Sequence, residues 1–218
     1  MEPFDNFGPA LPREFYLQDT REAAKKLLNC ILVYETDEGL CAGRITETEA
    51  YLFDDPASHT FRGLTARCAL MFGPPGRAYI YFTYGAHHCL NAVTAAENCG
   101  EAVLIRALEP LAGRELMARR RGLTEKDIPP DDAPERSKIK YGVRLCGGPG
   151  KLCQSFGLTR TESGLDLTGH SSLRIAAPEK SVGHANPAEI LATPRIGITR
   201  NAEALWRYTI QDDPYTSR

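Results

Sequence analysis

Residues 30–52 read CILVYETDEGLCAGRITETEAYL, and the way this stretch pairs with itself decides the fold. Cys30 to Thr36 is rich in aliphatic and β-branched residues, Asp37-Glu38-Gly39 has the composition of a tight turn, and the chain from Leu40 to Leu52 resumes strand character. Two strands joined by so short a turn are antiparallel neighbours. In the second strand, alternation puts Ile45, Glu47, Glu49 and Tyr51 on one side and Arg44, Thr46, Thr48, Ala50 and Leu52 on the other. The first of these sides thus carries two carboxylates and a phenol where a core strand carries aliphatics. A lone Glu in such a place reads as a surface carboxylate paired with Lys or Arg. Glu-x-Glu-x-Tyr asks what the tyrosine does beside the carboxylates.

Working outward, DTREAAKKLLNC (19–30) opens with the capping-box pair Asp19 and Glu22 and predicts a helix. Residues 1–15 read as an extended lead-in. Residues 53–76 lack periodicity and are rich in Gly, Pro and Thr, which predicts a long loop, and loops of that length in compact domains are usually functional. RAYIYFTYGAHHCLNAVTA (77–95) predicts two strands broken at Tyr84-Gly85 by a hairpin tip. GEAVLIRALEP (100–110) is a further strand, apolar except for Arg106 and its end residues. Helices are predicted over 111–121, 134–141 and 150–156, and strands at SLRIAA (172–177), RIGIT (195–199) and WRYTI (206–210). Hairpin-linked strands with interspersed helices make a single α+β domain around an antiparallel sheet.

A chain of 218 residues, 42% hydrophobic and 25% charged, has the size and composition of one folded domain with a substantial core. It contains no apolar run of membrane-spanning length, and the acidic, Pro-rich start lacks the features of a signal peptide, so an intracellular protein is expected. Seven scattered cysteines with no C-x-x-C pair point to reduced core thiols rather than to a disulfide framework or a zinc ribbon. Net charge is -2, yet residues 114–160 hold 11 Lys/Arg against 6 Asp/Glu. That uneven distribution reads either as solvated helix surfaces or as a basic face that steers a polyanion.

Several side chains stand out. Arg106 in an apolar strand needs a carboxylate or a ligand, because burying a guanidinium unpaired is costly. If Glu49 and Arg106 face one cavity they could hold and deprotonate a water; the plainer reading is a buried ion pair. Tyr84 at a hairpin tip either packs under the neighbouring loop or inserts into something. Tyr51, His59 and Tyr81 are core aromatics or the walls of a slot for a flat, electron-poor ring. His87 and His88 are adjacent on a strand and point to opposite faces, and no H-E-x-x-H spacing exists, so no metal site is expected. There is no G-x-S-x-G elbow, and GGPGK (147–151) lacks the full phosphate-loop spacing.

RITETEAYL (44–52), DPASH (55–59), MFGPPGRAYIYFTYGAHHCLN (71–91), AVLIRALEPL (102–111) and GGPGKLCQSFGL (147–158), in that order, resemble the 3-methyladenine DNA glycosylase family of the alkyladenine glycosylase type over roughly residues 16–210. The resemblance implies a curved antiparallel sheet with surrounding helices and a protruding β-hairpin, in a glycosylase domain spanning 16–218. It implies a base-excision-repair enzyme that flips damaged purines out of double-stranded DNA and hydrolyses the glycosidic bond, with no cofactor. It places the general base on Glu49, with Arg106 helping to place the water. Tyr51, His59, Tyr81 and Asn91 correspond to the base pocket, Asn91 crowding the exocyclic amino group of guanine, and Tyr84 to the wedge inserted into the duplex. No lysine nucleophile is required, so the expected product is an abasic site without strand cleavage. A monomer working in the cytoplasm or nucleoid is expected.

The basic face expected to meet phosphates draws on Arg119, Arg120, Arg121, Arg136, Lys138, Lys140 and Arg144, with Lys151 in a matched motif. Ala66, Cys68 and Ala86 depart from the family pattern, in the loop and after the wedge glycine. A non-catalytic module binding damaged nucleic acid would keep Tyr84 and the basic face without needing Glu49 and Arg106. A metal-dependent hydrolase would use His59, His87 or His88.

Overall fold

The computed structural model describes residues 7–169, 171–178 and 183–217; residues 1–6 of the expected lead-in lie outside them. Two helices, α1 (Arg13–Tyr16) and α2 (Thr20–Lys26), precede strands β1 (Ile31–Thr36), β2 (Gly39–Tyr51), β3 (Ala78–Thr83), β4 (His87–Thr94) and β5 (Glu101–Ala112). Then follow α3 (Arg114–Arg120), α4 (Glu135–Cys146), α5 (Pro149–Phe156), β6 (Leu173–Ala176), β7 (Ile190–Thr193) and β8 (Arg207–Ile210). All eight strands belong to one antiparallel sheet in the order β3-β4-β5-β2-β1-β6, with β8 pairing β2 and β7 pairing β8. The domain is α+β, as its alternation of hairpins and helices predicts.

β2 is the spine. Residues 39–44 pair with β1, residues 47–49 pair with β8, and residues 42–51 pair with β5 on the other edge. The β2–β5 register slips once between Ala42 and Gly43 and then twice in succession: Ile45 faces Leu108, Glu47 faces Ala107, and Thr48 faces Ile105. One extra residue, Thr46, stands on β2, and one, Arg106, on β5. Such bulges twist a strand and re-aim its side chains. The alternation expected through RITETEAYL is corrected here: Ile45 joins the main core with Ala50, whereas Glu47 and Glu49 converge on Arg106.

The two faces of the sheet differ in chemistry. Leu32, Ile45, Ala78, Ile80, Leu90, Ala92, Val103 and Ile105 pack with Ala23 and Ala24 of α2, Met117 of α3, Leu145 of α4 and Phe156 of α5 into the main hydrophobic core. Period-two alternation sends their neighbours Tyr79, Tyr81, Cys89, Asn91 and Leu104 to the other side, where they line a cavity. Helices cover the first face; the cavity on the second is bounded partly by residues of the 53–76 loop, which holds turns and a single 3₁₀ segment, Ala69–Phe72.

Local chemistry explains the helix limits. The Asp19 side chain accepts from the backbone N–H groups of Arg21 and Glu22, and Lys25 and Lys26 occupy the negative end of α2. Three predicted helices shift. β5 runs on to Ala112, so the helix expected over 111–121 starts only after Gly113, whose φ of +75° turns the chain. The one expected over 134–141 continues a further turn to Cys146, and the last begins at Pro149, a favoured residue in a first turn. RIGIT is not a strand: Gly197 has φ of +78°, and the strand that pairs with β8 besides β2 is Ile190–Thr193.

Gly113 admits no side chain, since a Cβ there would lie 2.2 Å from the Leu40 carbonyl oxygen and 3.1 Å from Cys41 Cα. Gly113→Ala combines that clash with a left-handed backbone, and is expected to cost at least about 2 kcal/mol in urea unfolding.

Candidate active site

The cavity on the open face has a volume of about 350 Å³, within the range of small-molecule clefts. Tyr79 and Tyr81 come from β3, Cys89 and Asn91 from β4, Leu104 and Arg106 from β5, and Tyr51 from the end of β2. Ser58, His59 and Met71 enter from the 53–76 loop, and Ile196, Gly197 and Ile198 from the segment before β8. Of the residues singled out in the sequence, Tyr51, His59, Tyr81, Tyr84, Asn91 and Arg106 all line it. Glu49 is fully buried immediately behind Tyr51 and Arg106.

Glu49 is held on both oxygens. Its Oε2 accepts from the Tyr51 hydroxyl at 2.8 Å, and its Oε1 accepts from the Ile196 N–H at 2.8 Å and lies 3.3 Å from Arg106 Nη1. A carboxylate offers about four lone-pair sites, so one remains. Burial, then the Glu49 charge, raises the Tyr51 phenol far above its ordinary value, which keeps it a proton donor to the carboxylate. Burial by itself lowers Arg106, but Glu49 and Glu47 more than offset it and the net direction is upward, so the guanidinium stays charged.

Glu47 is the partner that sequence reading left without a role. It accepts from Arg106 Nε at 3.0 Å, Arg207 Nε at 2.6 Å, the Ser217 N–H at 2.6 Å and the Ser217 hydroxyl at 2.9 Å. Arg106 thus bridges two carboxylates, and Glu47 ties it to β8 and to the C-terminal tail. Both oxygens of Glu47 are committed to these partners, which suits structure rather than proton transfer.

The aromatic walls are mutually fixed. His59 Nδ1 is 2.9 Å from the Tyr79 hydroxyl, and its ring meets Tyr81 edge-on at 4.5 Å between centroids. Burial, with Arg67 adding to it, lowers His59 to about 4, so the imidazole is neutral at pH 7. Tyr79 is a wall residue that its strand reading did not single out; burial pushes it up to about 12. Asn91 is directly opposite Tyr79 and donates its amide to the Tyr79 carbonyl at 3.0 Å, which fixes the orientation of its side chain in the cavity wall.

At the rim, β3 and β4 form a hairpin closed by Tyr84-Gly85-Ala86, with Thr83 opposite His87. Tyr84 has φ of +51° and is 85% exposed; it does not pack under a loop. Cys68 is buried against Met71 and Tyr79, whereas Ala66 and Ala86 are exposed. The basic stretch is divided. Arg120 pairs with Glu38 at 2.5 Å, Arg144 with Asp127 at 3.0 Å, Arg121 with Gln154, and Lys138 with the Asp131 carbonyl at 2.6 Å. Arg136, Lys140, Arg144 and Lys151 line a second groove beside Pro214 and Thr216, while Arg119 is exposed on α3. Among the described residues no group of three or more His, Cys, Asp or Glu side chains is arranged to hold a metal ion, and no helix is long and apolar enough to cross a membrane.

The family model of methylpurine-DNA glycosylase matches residues 14–214. A relative from Methanoculleus marisnigri is 45% identical over 95% of this chain and 98% of its own length. Another, from Carboxydothermus hydrogenoformans, is 42% identical over 95% and 98%, and a third, from Rubrobacter xylanophilus, is 45% identical over 84% and 85%. Each is described as "Putative 3-methyladenine DNA glycosylase". The chain belongs to the methylpurine-DNA glycosylase family. It is therefore a DNA glycosylase, an enzyme of DNA repair.

Two outcomes follow from this glycosylase's site geometry. Glu47→Gln leaves Arg106 and Arg207 short of charge compensation and is expected to lower stability by about 3–5 kcal/mol in urea unfolding. His59 has a folded-state value of about 4 against an ordinary 6.5, so the unfolded chain takes up the proton first and stability falls as pH drops from 6.5 towards 4. An NMR titration should find the His59 imidazole neutral down to pH 5, and His59→Gln should remove that part of the acid sensitivity.

Proposed function

We propose that this glycosylase extrudes alkylated or deaminated purines of the 3-methyladenine, 7-methylguanine and hypoxanthine type from double-stranded DNA and hydrolyses their N-glycosidic bond. The observation that carries the reading is the Tyr51–Glu49–Arg106 constellation: a buried carboxylate, oriented by a phenol and an arginine, directly behind the wall of an aromatic cavity.

In this reading Tyr84 enters the duplex and fills the space left by the extruded nucleotide. Extrusion costs a few kcal/mol of stacking and pairing, least for weakened pairs, and the wedge offsets part of that. The base stacks in the slot between Tyr51, His59 and Tyr81, where the neutral His59 does not repel an alkylated, cationic purine. Asn91, held by the Tyr79 carbonyl, crowds the exocyclic amino group of normal guanine. As the bond from C1′ to the base nitrogen breaks, its electron pair leaves with the purine and the sugar becomes oxocarbenium-like. Glu49 stabilises that charge and takes a proton from the attacking water, whose oxygen bonds to C1′, while Arg106 orients the water. The products are free base and an abasic site, with the strand intact. The cations of the groove beside α4 and α5 supply sequence-independent phosphate contacts.

Base release is tested in EDTA on duplexes holding one 7-methylguanine or one hypoxanthine. Wild type should release base, and Glu49→Gln should be slower by about 10²–10⁴, the usual worth of general-base catalysis, with duplex binding kept. Loss of release in chelator, or full activity in Glu49→Gln, would overturn the assignment. Tyr84→Ala should weaken binding to lesion duplexes while leaving the fold intact.

A further inference from the structure

Arg195 has no part in the chemistry above, yet it is the most deeply placed cation at the site. Its side chain and that of Asp55 are both fully buried and ion-paired, Nη1 donating to Asp55 Oδ2 and Nη2 to Oδ1 at 3.1 Å. Nη1 also donates to the Ala50 carbonyl at 3.0 Å. The guanidinium carbon lies over the Tyr51 ring, 4.6 Å from its centroid, and 5.0 Å from that of Trp206. Nε is buried without a hydrogen-bond partner among the described residues, so Asp55 compensates the guanidinium along one edge alone. Asp55 also accepts from Asn201 Nδ2 at 3.1 Å and from the N–H of Ala57, another cavity residue, at 3.1 Å.

We propose that the buried Arg195–Asp55 pair is a positioning device beneath Tyr51 that sets the balance between cationic and neutral purine lesions, lowering the preference for cationic ones. The inference rests on the base-release reading given above. An aromatic ring attracts a cation through the negative charge of its π face, and in Tyr51 a guanidinium already draws on that charge. A positively charged alkylpurine beside the same ring meets both a depleted π system and a nearby charge of its own sign, across a path without solvent screening. A neutral base such as hypoxanthine bears neither penalty and keeps the dispersion of stacking. Arg67 also lies over a wall ring, 5.8 Å from the Tyr81 centroid, but it is exposed and its field is screened by water and salt.

The readout is the ratio of kcat/KM for 7-methylguanine to that for hypoxanthine, in otherwise identical duplexes. Arg195→Met combined with Asp55→Asn removes both charges together and should raise the ratio about tenfold, between the scales of an exposed and a fully desolvated cation–π contact. Arg195→Lys keeps the charge and should leave the ratio within about twofold, even where both rates fall with the lost bidentate geometry. Far-ultraviolet circular dichroism, which does not depend on the contact between Arg195 and Trp206, reports whether each variant is folded. Equal losses on both substrates in the double variant would reduce the pair to a structural role and overturn the proposal. A large change of ratio in Arg195→Lys would overturn it independently, even if the double variant does not fold. Failure of the wild type to release either base is a failure of the base-release reading instead. Equilibrium binding of the same two duplexes then decides the proposal: it requires the same shift in their affinity ratio and is overturned by an unchanged one.

Discussion

Two carboxylates of one strand share a single buried arginine, and much of the site hangs on that arrangement. Arg106 lies 3.0 Å from Glu47 and 3.3 Å from Glu49. Two buried carboxylates so close would repel in a low dielectric, and the guanidinium between them offsets that repulsion. The geometry requires the paired register slips, because in an unbroken ladder Arg106 would lie opposite Glu47 as an ordinary partner instead of standing out between the two. The carboxylates then organise segments remote in sequence. Glu47 binds Arg207 of β8 and Ser217 of the tail, and Glu49 binds the N–H of Ile196, the start of the wall made by residues 196–198.

Such a network is a poor source of stability, since desolvating charges costs about as much as their attraction returns. The protein locates its stability on the other face of the sheet. There the helices bury Leu27, Leu28, Leu32, Ile105, Leu108 and Phe156 completely, in a core that has no catalytic duty. The division follows from period two: each central strand gives alternate residues to the core and to the cavity. The cavity face is therefore free to carry phenols, an amide and ion pairs that an all-purpose core would not accommodate.

Much of this was legible in the chain. An arginine in AVLIRALEP demands a partner, and ETEAY offers one; that β2 and β5 are neighbours was not legible, because the 53–76 loop and the β3–β4 hairpin separate them in sequence. The register was not legible. Nothing local in RITETEAYL signals the bulge, so strict alternation misplaced Ile45, and Glu47, whose partners come from β8 and the tail, lacked a visible function. RIGIT has strand composition, but Arg195 spends its guanidinium on Asp55, Ala50 and two rings, and Gly197 turns the chain away. Tyr79 read as one more strand aromatic; only its hydroxyl contact with His59, across 20 residues of sequence, distinguishes it. The helix over 111–121 began too early because LIRALEPLA is equally good strand and the stop signal, Gly113, acts through its backbone.

The wedge role proposed for Tyr84 makes a mechanical demand that the fold meets. A left-handed conformation at a non-glycine residue costs about 1 kcal/mol, and here it holds a large side chain out in water. A tip that merely dangled would yield when pushed against stacked bases. This one follows directly on β3, the strand that also carries Tyr79 and Tyr81, so the proposed base slot and the proposed wedge share one backbone element. Its root is clamped as well: Gly150 of α5 lies so close to His87 that a Cβ would come within 2.9 Å of the imidazole ring, and only glycine allows the helix to bear on the hairpin there. α5 packs on β4 and belongs to the main core, so the root of the hairpin rests on that core. The hydrophobic face that leaves the cavity face free to be polar thus also backs the hairpin that carries Tyr84.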